Sequence, residues 1–216
     1  MNPLNALEAR VLGSLVEKDI TTPDYYPMTL NALTHACNQA TNRDPVTSFS
    51  EAEVVRGLDA LREKRLAFMF QGADSRAPKY GHRFLESFGL GRPEAAALCV
   101  LLLRGPQTAG EIRGRTGRMH AFAGLEEVAA VLDALAARAP EPLVARLPRR
   151  AGFKEQRYAH LLSGDLAAPG PEPEPAPAAG RPEEGRLERL EAEAAALRAE
   201  VDELKRQVGE LRRPAG

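Results

Sequence analysis

The chain has 216 residues, 44% of them hydrophobic, with 5% aromatics, no tryptophan and a net charge of −1. That length holds one large domain or two small ones with mostly aliphatic cores, and its longest apolar run, AAALCVLLL at 95–103, is far short of the roughly 20 residues that span a bilayer. The start MNPLNALEAR has no signal-peptide pattern, and two cysteines without paired spacing make neither a disulfide framework nor a metal knuckle, so a cytoplasmic protein with no membrane contact is expected.

In chain order, LNALEARVLGSLVEK places Leu4, Leu7, Val11 and Leu15 on one helical face. TLNALTHACNQA begins at Thr29, an N-cap residue. A third helix opens on the capping box Ser50-x-x-Glu53 and turns Val54, Leu58 and Leu61 inward. LAFMF at 66–70, a Gly/Asp/Ser/Pro turn and KYGHRF at 79–84 then read as strand, turn and strand. The second half repeats the order. RPEAAALCVLLLR is a helix with Pro93 in its first turn, TAGEIRGRTG opens on the box Thr108-x-x-Glu111, and GLEEVAAVLDALAAR is the third helix. LVARL, the basic turn PRRAGFK and QRYAHLL close the unit. LDAL at 58–61 returns at 132–135, and the Tyr-x-His of Tyr80 and His82 returns as Tyr158 and His160. Three short helices followed by a two-stranded hairpin make a winged helix-turn-helix, whose third helix can enter a DNA groove and whose hairpin can touch backbone.

Residues 167–184, AAPGPEPEPAPAAGRPEE, contain no large apolar side chain and read as an extended, disordered linker. Beyond them Leu190, Leu197, Leu204 and Leu211 recur every seven residues, with Leu187, Ala194, Val201 and Val208 between them. Such heptads predict a parallel two-stranded coiled coil over 185–213. Across a parallel dimer the pairs Arg186–Glu191, Glu193–Arg198 and Glu200–Lys205 attract and Gln207–Arg212 is neutral. A homodimer clasped by Leu187, Leu190, Leu197, Val201, Leu204, Val208 and Leu211 follows. The expected fold is therefore mainly α with small β-hairpins, of α+β class. It comprises winged-helix domains at 1–88 and 89–166, the linker and the coiled-coil helix.

EARVLGSLVEKDITTPDYYPMTLNALTHACNQ, followed by NRDPV, SEAEV and LDAL, resembles the YceH-like family of uncharacterised bacterial tandem winged-helix proteins. The resemblance covers residues 4 to about 165 and implies the fold and a dimer. It brings no catalytic or binding residues.

Alternate strand residues share a face, so Tyr80, His82 and Phe84 lie together, as do Tyr158, His160 and Leu162. Both histidines are expected in hydrogen-bonded structural roles. His35 and Cys37 face different directions on a helix, and Cys99 falls in the most apolar run. No paired carboxylates, phosphate loop or nucleophile elbow appears, so neither an enzyme, a metal nor a cofactor is expected. The loop CNQATNRDPV at 37–46 either caps helix ends or presents Asn38, Gln39, Asn42 and Arg43 to a ligand.

The candidate DNA contacts are Asn42 and Arg43 in that loop, Arg56 and Arg62 on the first recognition helix, and Arg76 and Lys79 in the first wing. In the second half they are Arg113, Arg115 and Arg118 before the third helix and Arg149, Arg150 and Lys154 in the wing. Glu126, Glu127 and Asp133 disfavour that third helix as a phosphate contact. Residues 1–167 carry 21 Lys and Arg against 19 Asp and Glu, and residues 168–216 carry 8 against 11, less basic than a dedicated nucleic-acid binder. The expected function is a dimeric duplex-DNA-binding protein of the transcriptional-regulator class. The alternative is a non-enzymatic scaffold that holds a protein partner.

Overall fold

Asn5 starts the first helix. Its side chain accepts from the Glu8 backbone N–H at 2.9 Å, and the Glu8 carboxylate accepts from the Asn5 N–H at 3.0 Å, a capping box that satisfies two orphan donors. In the computed structural model, which describes residues 2–72, 77–149 and 155–164, α1 then runs Ala6–Thr21. A short 3-10 turn, Pro23–Tyr25, and strand β1 (Met28–Thr29) lead to α2 (Leu30–Cys37) and α3 (Glu51–Glu63). β2 (Ala67–Phe70) and β3 (Lys79–His82) form a hairpin, and a short α4 (Phe84–Phe88) follows. The second half contains α5 (Arg92–Arg104), β4 (Gln107–Thr108), α6 (Ala109–Thr116), α7 (Leu125–Ala136), β5 (Val144–Arg146) and β6 (Arg157–His160). About half of the described residues are helical, and the strands form two small antiparallel sheets ordered β1-β3-β2 and β4-β6-β5.

The local signals fall where the sequence places them. Thr29 caps α2, and the boxes Ser50/Glu53 and Thr108/Glu111 close on α3 and α6. The LDAL repeat is structural: Leu58, Leu61, Leu132 and Leu135 are each at most 1% exposed.

Three features differ from the sequence reading. β1 and β4 are two residues long, too short to show any alternation. β3 stops at His82, and Phe84 lies in α4 rather than the strand, because the His82 ring Nδ1 accepts the Phe84 N–H at 3.1 Å and turns the chain. Finally, α1 is not amphipathic with one buried stripe. Residues Glu8 to Glu17 are all buried, as are Ala95 to Leu103 of α5.

The cause is that α1 and α5 lie against each other between the two halves, so the polar residues Glu8, Arg10, Ser14 and Glu17 of α1 are enclosed along with its apolar ones. Contact is close at Gly13, where a Cβ would stand 2.8 Å from Leu103 Cδ2, and the Cys99 thiol donates to the Gly13 carbonyl at 3.4 Å.

The two sheets solve the same register differently. Phe68 pairs with Gly81 across β2 and β3, whereas Ala145 pairs with Ala159 across β5 and β6. A Cβ on Gly81 would meet Phe68 Cζ at 2.4 Å, so the large residue requires the missing one.

Met1–Leu166 forms one compact unit. The linker at 167–184 and the coiled coil at 185–213, with Leu187, Leu190, Leu197, Val201, Leu204, Val208 and Leu211, lie outside the described residues. No described helix is long and apolar enough to cross a membrane.

Candidate nucleic-acid interface

Between α2 and α3 the loop is pinned from beneath by two buried arginines. Arg10, on α1, donates to the carbonyls of Cys37 (3.0 Å) and Pro45 (2.6 Å) and to the Thr47 hydroxyl (2.9 Å). Burial lowers the basicity of its guanidinium, and nearby Arg43 lowers it further. Arg43 donates Nε to the Ala36 carbonyl at 3.0 Å and grips Glu17 with Nη2 at 2.6 Å and Nη1 at 3.3 Å. Asn38 closes the loop by exchanging two 2.8 Å hydrogen bonds with the Phe49 backbone.

This corrects one expectation: Arg43 is 4% exposed and spent on internal partners, so it is not available to a ligand. Asn38 is likewise a brace. Asn42 remains exposed, held in the left-handed region at φ 57°. Arg10 and Glu17 are the residues that sequence reasoning missed. Their only signal is the presence of charges inside an apolar helix.

The outer face of α3 presents Glu51, Arg56, Asp59, Arg62 and Glu63 to solvent. Arg62 is partly neutralised by Asp59 at 3.0 Å, and Arg56 stands one turn from Glu53, whose carboxylate is held below its usual range by the Ser50 backbone and hydroxyl. Lys79 is half-buried in β3 between Thr29 and Phe70. Arg76 lies outside the described residues. On the same hairpin Met69 and Phe70 are 44% and 53% exposed.

In the second half, Arg113 and Arg118 are exposed, and Arg113 donates to the Ala123 carbonyl at 3.3 Å. Arg115 lies 3.3 Å from Glu111 along α6. Glu127 caps the Ala123 N–H at 2.7 Å, which holds its carboxyl below the usual range, and His120 adds to this. Asp133 takes Arg146 at 2.6 Å, whose guanidinium covers the Tyr158 ring at 5.5 Å. Arg149 is exposed, and Arg150 and Lys154 lie outside the described residues. The remaining basic candidates thus sit at α3, the α6 end and the hairpins.

The histidines are enclosed. Because His82 Nδ1 accepts the Phe84 N–H, the neutral ring carries its proton on Nε2, which lies 3.3 Å from Asp19 Oδ2 but off the line of a hydrogen bond. The His82 N–H donates to the Tyr26 hydroxyl at 2.6 Å. Burial pushes His160 down to about 4, and its Nδ1 has no hydrogen-bond partner among the described residues. The expected hydrogen-bonded role therefore holds for His82, whereas His160 is a neutral packing group. No cluster of three or more His, Cys, Asp or Glu that could hold a metal occurs among the described residues.

The family described as "Protein of unknown function, DUF480" matches residues 4–153. A UPF0502 protein of Opitutus terrae is 56% identical over 199 residues, covering 90% of this chain and 83% of the relative. A UPF0502 protein of Solibacter usitatus is 51% identical over 195 residues, covering 90% and 93%. One from Citrifermentans bemidjiense is 56% identical over 162 residues, covering 75% and 74%. The resemblance read from the sequence to a bacterial family without assigned activity is borne out at that level.

Proposed function

Since the chain belongs to the DUF480 family of proteins of unknown function, we propose a role from its own geometry. It is a cytoplasmic, dimeric DNA-binding protein of the transcriptional-regulator class that acts without turnover. Two tandem winged helix-turn-helix domains, 1–88 and 89–166, contact duplex DNA through hairpins and inter-helix loops. The linker at 167–184 joins them to a parallel coiled coil at 185–213.

One observation carries the reading: the order helix, strand, helix, helix, hairpin occurs twice, each time around a three-stranded sheet. A third helix with a solvent-facing side beside a hairpin is the arrangement that docks on duplex DNA. The contacts are Asn42, Arg56, Arg62, Lys79, Arg113, Arg115, Arg118 and Arg149, with Arg76, Arg150 and Lys154 at the hairpin turns. The acidic α7 stays off the backbone, its Asp133 held by Arg146.

A mobility-shift titration of the full chain on duplex fragments at about 50 mM salt tests this. Binding in the micromolar range or tighter is expected, and affinity falls steeply as salt rises because each phosphate contact releases counterions. No shift at tens of micromolar protein would overturn the reading. The exposed Met69, Phe70 and Leu125, together with the acidic outer face of α7, favour the second reading, a scaffold for a protein partner.

A further inference from the structure

The outer face of the first hairpin carries aromatic rings and positive charge together. Residues opposite each other in an antiparallel pair share a face, so the register Phe68–Gly81 and Phe70–Lys79 sets these four positions side by side. Their strand neighbours Ala67 and Tyr80 turn the other way and pack on the core. Phe70 is 53% exposed. Phe68 is half-buried, and its ring fills the space over Gly81, where a Cβ would stand 2.4 Å from Phe68 Cζ. Arg83 is exposed, with its guanidinium carbon 5.8 Å from the Phe68 ring centroid. Neither Lys79 nor Arg83 has an ion pair among the described residues. The matching pair of the second sheet is Ala145–Ala159, which offers no ring.

The charge selects the occupant. From Leu66 to Phe84 the sequence has three Lys and Arg against one Asp or Glu, so this hairpin favours an anion. Exposed rings beside free cations fit a molecule that brings flat apolar faces and negative charge at adjacent positions. An unpaired nucleic-acid strand brings both, since each nucleotide carries a base that can stack and a phosphate. A duplex keeps its bases stacked on one another, and an acidic peptide brings the charge without the planar faces. Phe68, Phe70, Lys79, Gly81 and Arg83 supply no side-chain acceptor for a ribose 2′-hydroxyl, the group that distinguishes RNA.

We propose that this face binds unpaired DNA, with a base stacked on Phe70 and with Lys79 and Arg83 on phosphates of the same strand. The site goes beyond duplex binding and does not depend on it.

Fluorescence anisotropy of the full chain with a labelled thymidine oligonucleotide of about 12 nucleotides, at about 50 mM salt, tests it. A strand of the same length built from abasic units holds the phosphates constant and removes the bases. The base-bearing strand is expected to bind at least about 5-fold tighter than the abasic one, and Phe70→Ala to abolish that difference. Because the chain has no tryptophan, Phe70→Trp gives a unique signal, which the base-bearing strand should quench while affinity is kept. A duplex measured in parallel should be unaffected by Phe70→Ala, since Phe70 is not among the duplex contacts.

Equal binding of the two strands, or no binding at tens of micromolar protein, overturns the proposal, as does an equal loss on duplex and single strand. An RNA strand bound about 10-fold tighter than the DNA overturns it too. If Phe70→Ala lowers the mass of the protein and leaves the oligonucleotide affinity unchanged, the face is an interface between copies and the proposal falls. Single-strand binding without any duplex shift upholds this site and removes the duplex reading.

Discussion

At the scale of single residues, the Arg43–Glu17 pair determines what the inter-helix loop can be. Both groups are withdrawn from water, with Arg43's side chain fully buried and Glu17's 11% exposed. Removing one partner leaves the other charge stranded, which costs about 3–5 kcal/mol. Arg43→Met is therefore expected to lower the melting midpoint by roughly 6–15 °C, and Arg43→Met with Glu17→Leu to recover much of it. A single variant melting with the wild type would show that the pair braces nothing. His160 makes a pH prediction. Its folded value of about 4 lies below the ordinary 6.5, so the unfolded chain binds the proton first. The stability held by a neutral His160 is complete above pH 6.5 and is lost as pH falls towards 4. The loss is on the order of 3 kcal/mol. Measured from pH 7 to 4, the melting curve of His160→Leu should fall less steeply than that of the wild type. Parallel curves would refute the assignment. Neither site was legible beforehand. Arg43 sits among polar loop residues, and its partner lies 26 positions earlier on α1, a distance at which no local pattern operates.

Elements were far more readable than contacts, because caps and hydrophobic periods act over three or four residues. The boxes at Ser50, Thr108 and the Thr29 cap start helices where the sequence places them. The repeated LDAL marks two equivalent helix faces. What escaped reading was non-local. β1 and β4 exist only because β3 and β6 lend them partners, and α1 is buried all round because α5 covers its polar side. The hairpins supply a test at this scale. Gly81→Ala drives a methyl into Phe68 and should destabilise by about 1–3 kcal/mol. Phe68→Ala with Gly81→Ala copies the Ala145–Ala159 pair of the second sheet, and should be less destabilising than the sum of the single effects by at least about 0.5 kcal/mol. Strict additivity by denaturant titration would mean the two residues do not share that space.

For the whole molecule, α1 against α5 turns a duplication into one body, since the helix that begins each half is buried by the other half's first helix. The two halves therefore present their outer helices and hairpins as a fixed pair. The segment 167–184 is rich in proline, alanine and glutamate, a composition that reaches about 3 Å per residue. In the proposed dimer such a segment tethers a second copy without setting the distance between the two. In the dimer proposed above, the leucine heptads with matched flanking charges are the clasp. On this account, deleting residues 185–216 converts the protein to a monomer whose melting behaviour is unchanged, because the deleted segment belongs to a separate unit from Met1–Leu166. If two cores engage one duplex together, the same deletion weakens DNA binding by roughly 100-fold or more through lost avidity alone. Light scattering reads the first outcome and the mobility shift the second. An unchanged dimer mass would place self-association in the core and remove the tail's role. A monomer with undiminished affinity would mean that each core binds DNA by itself.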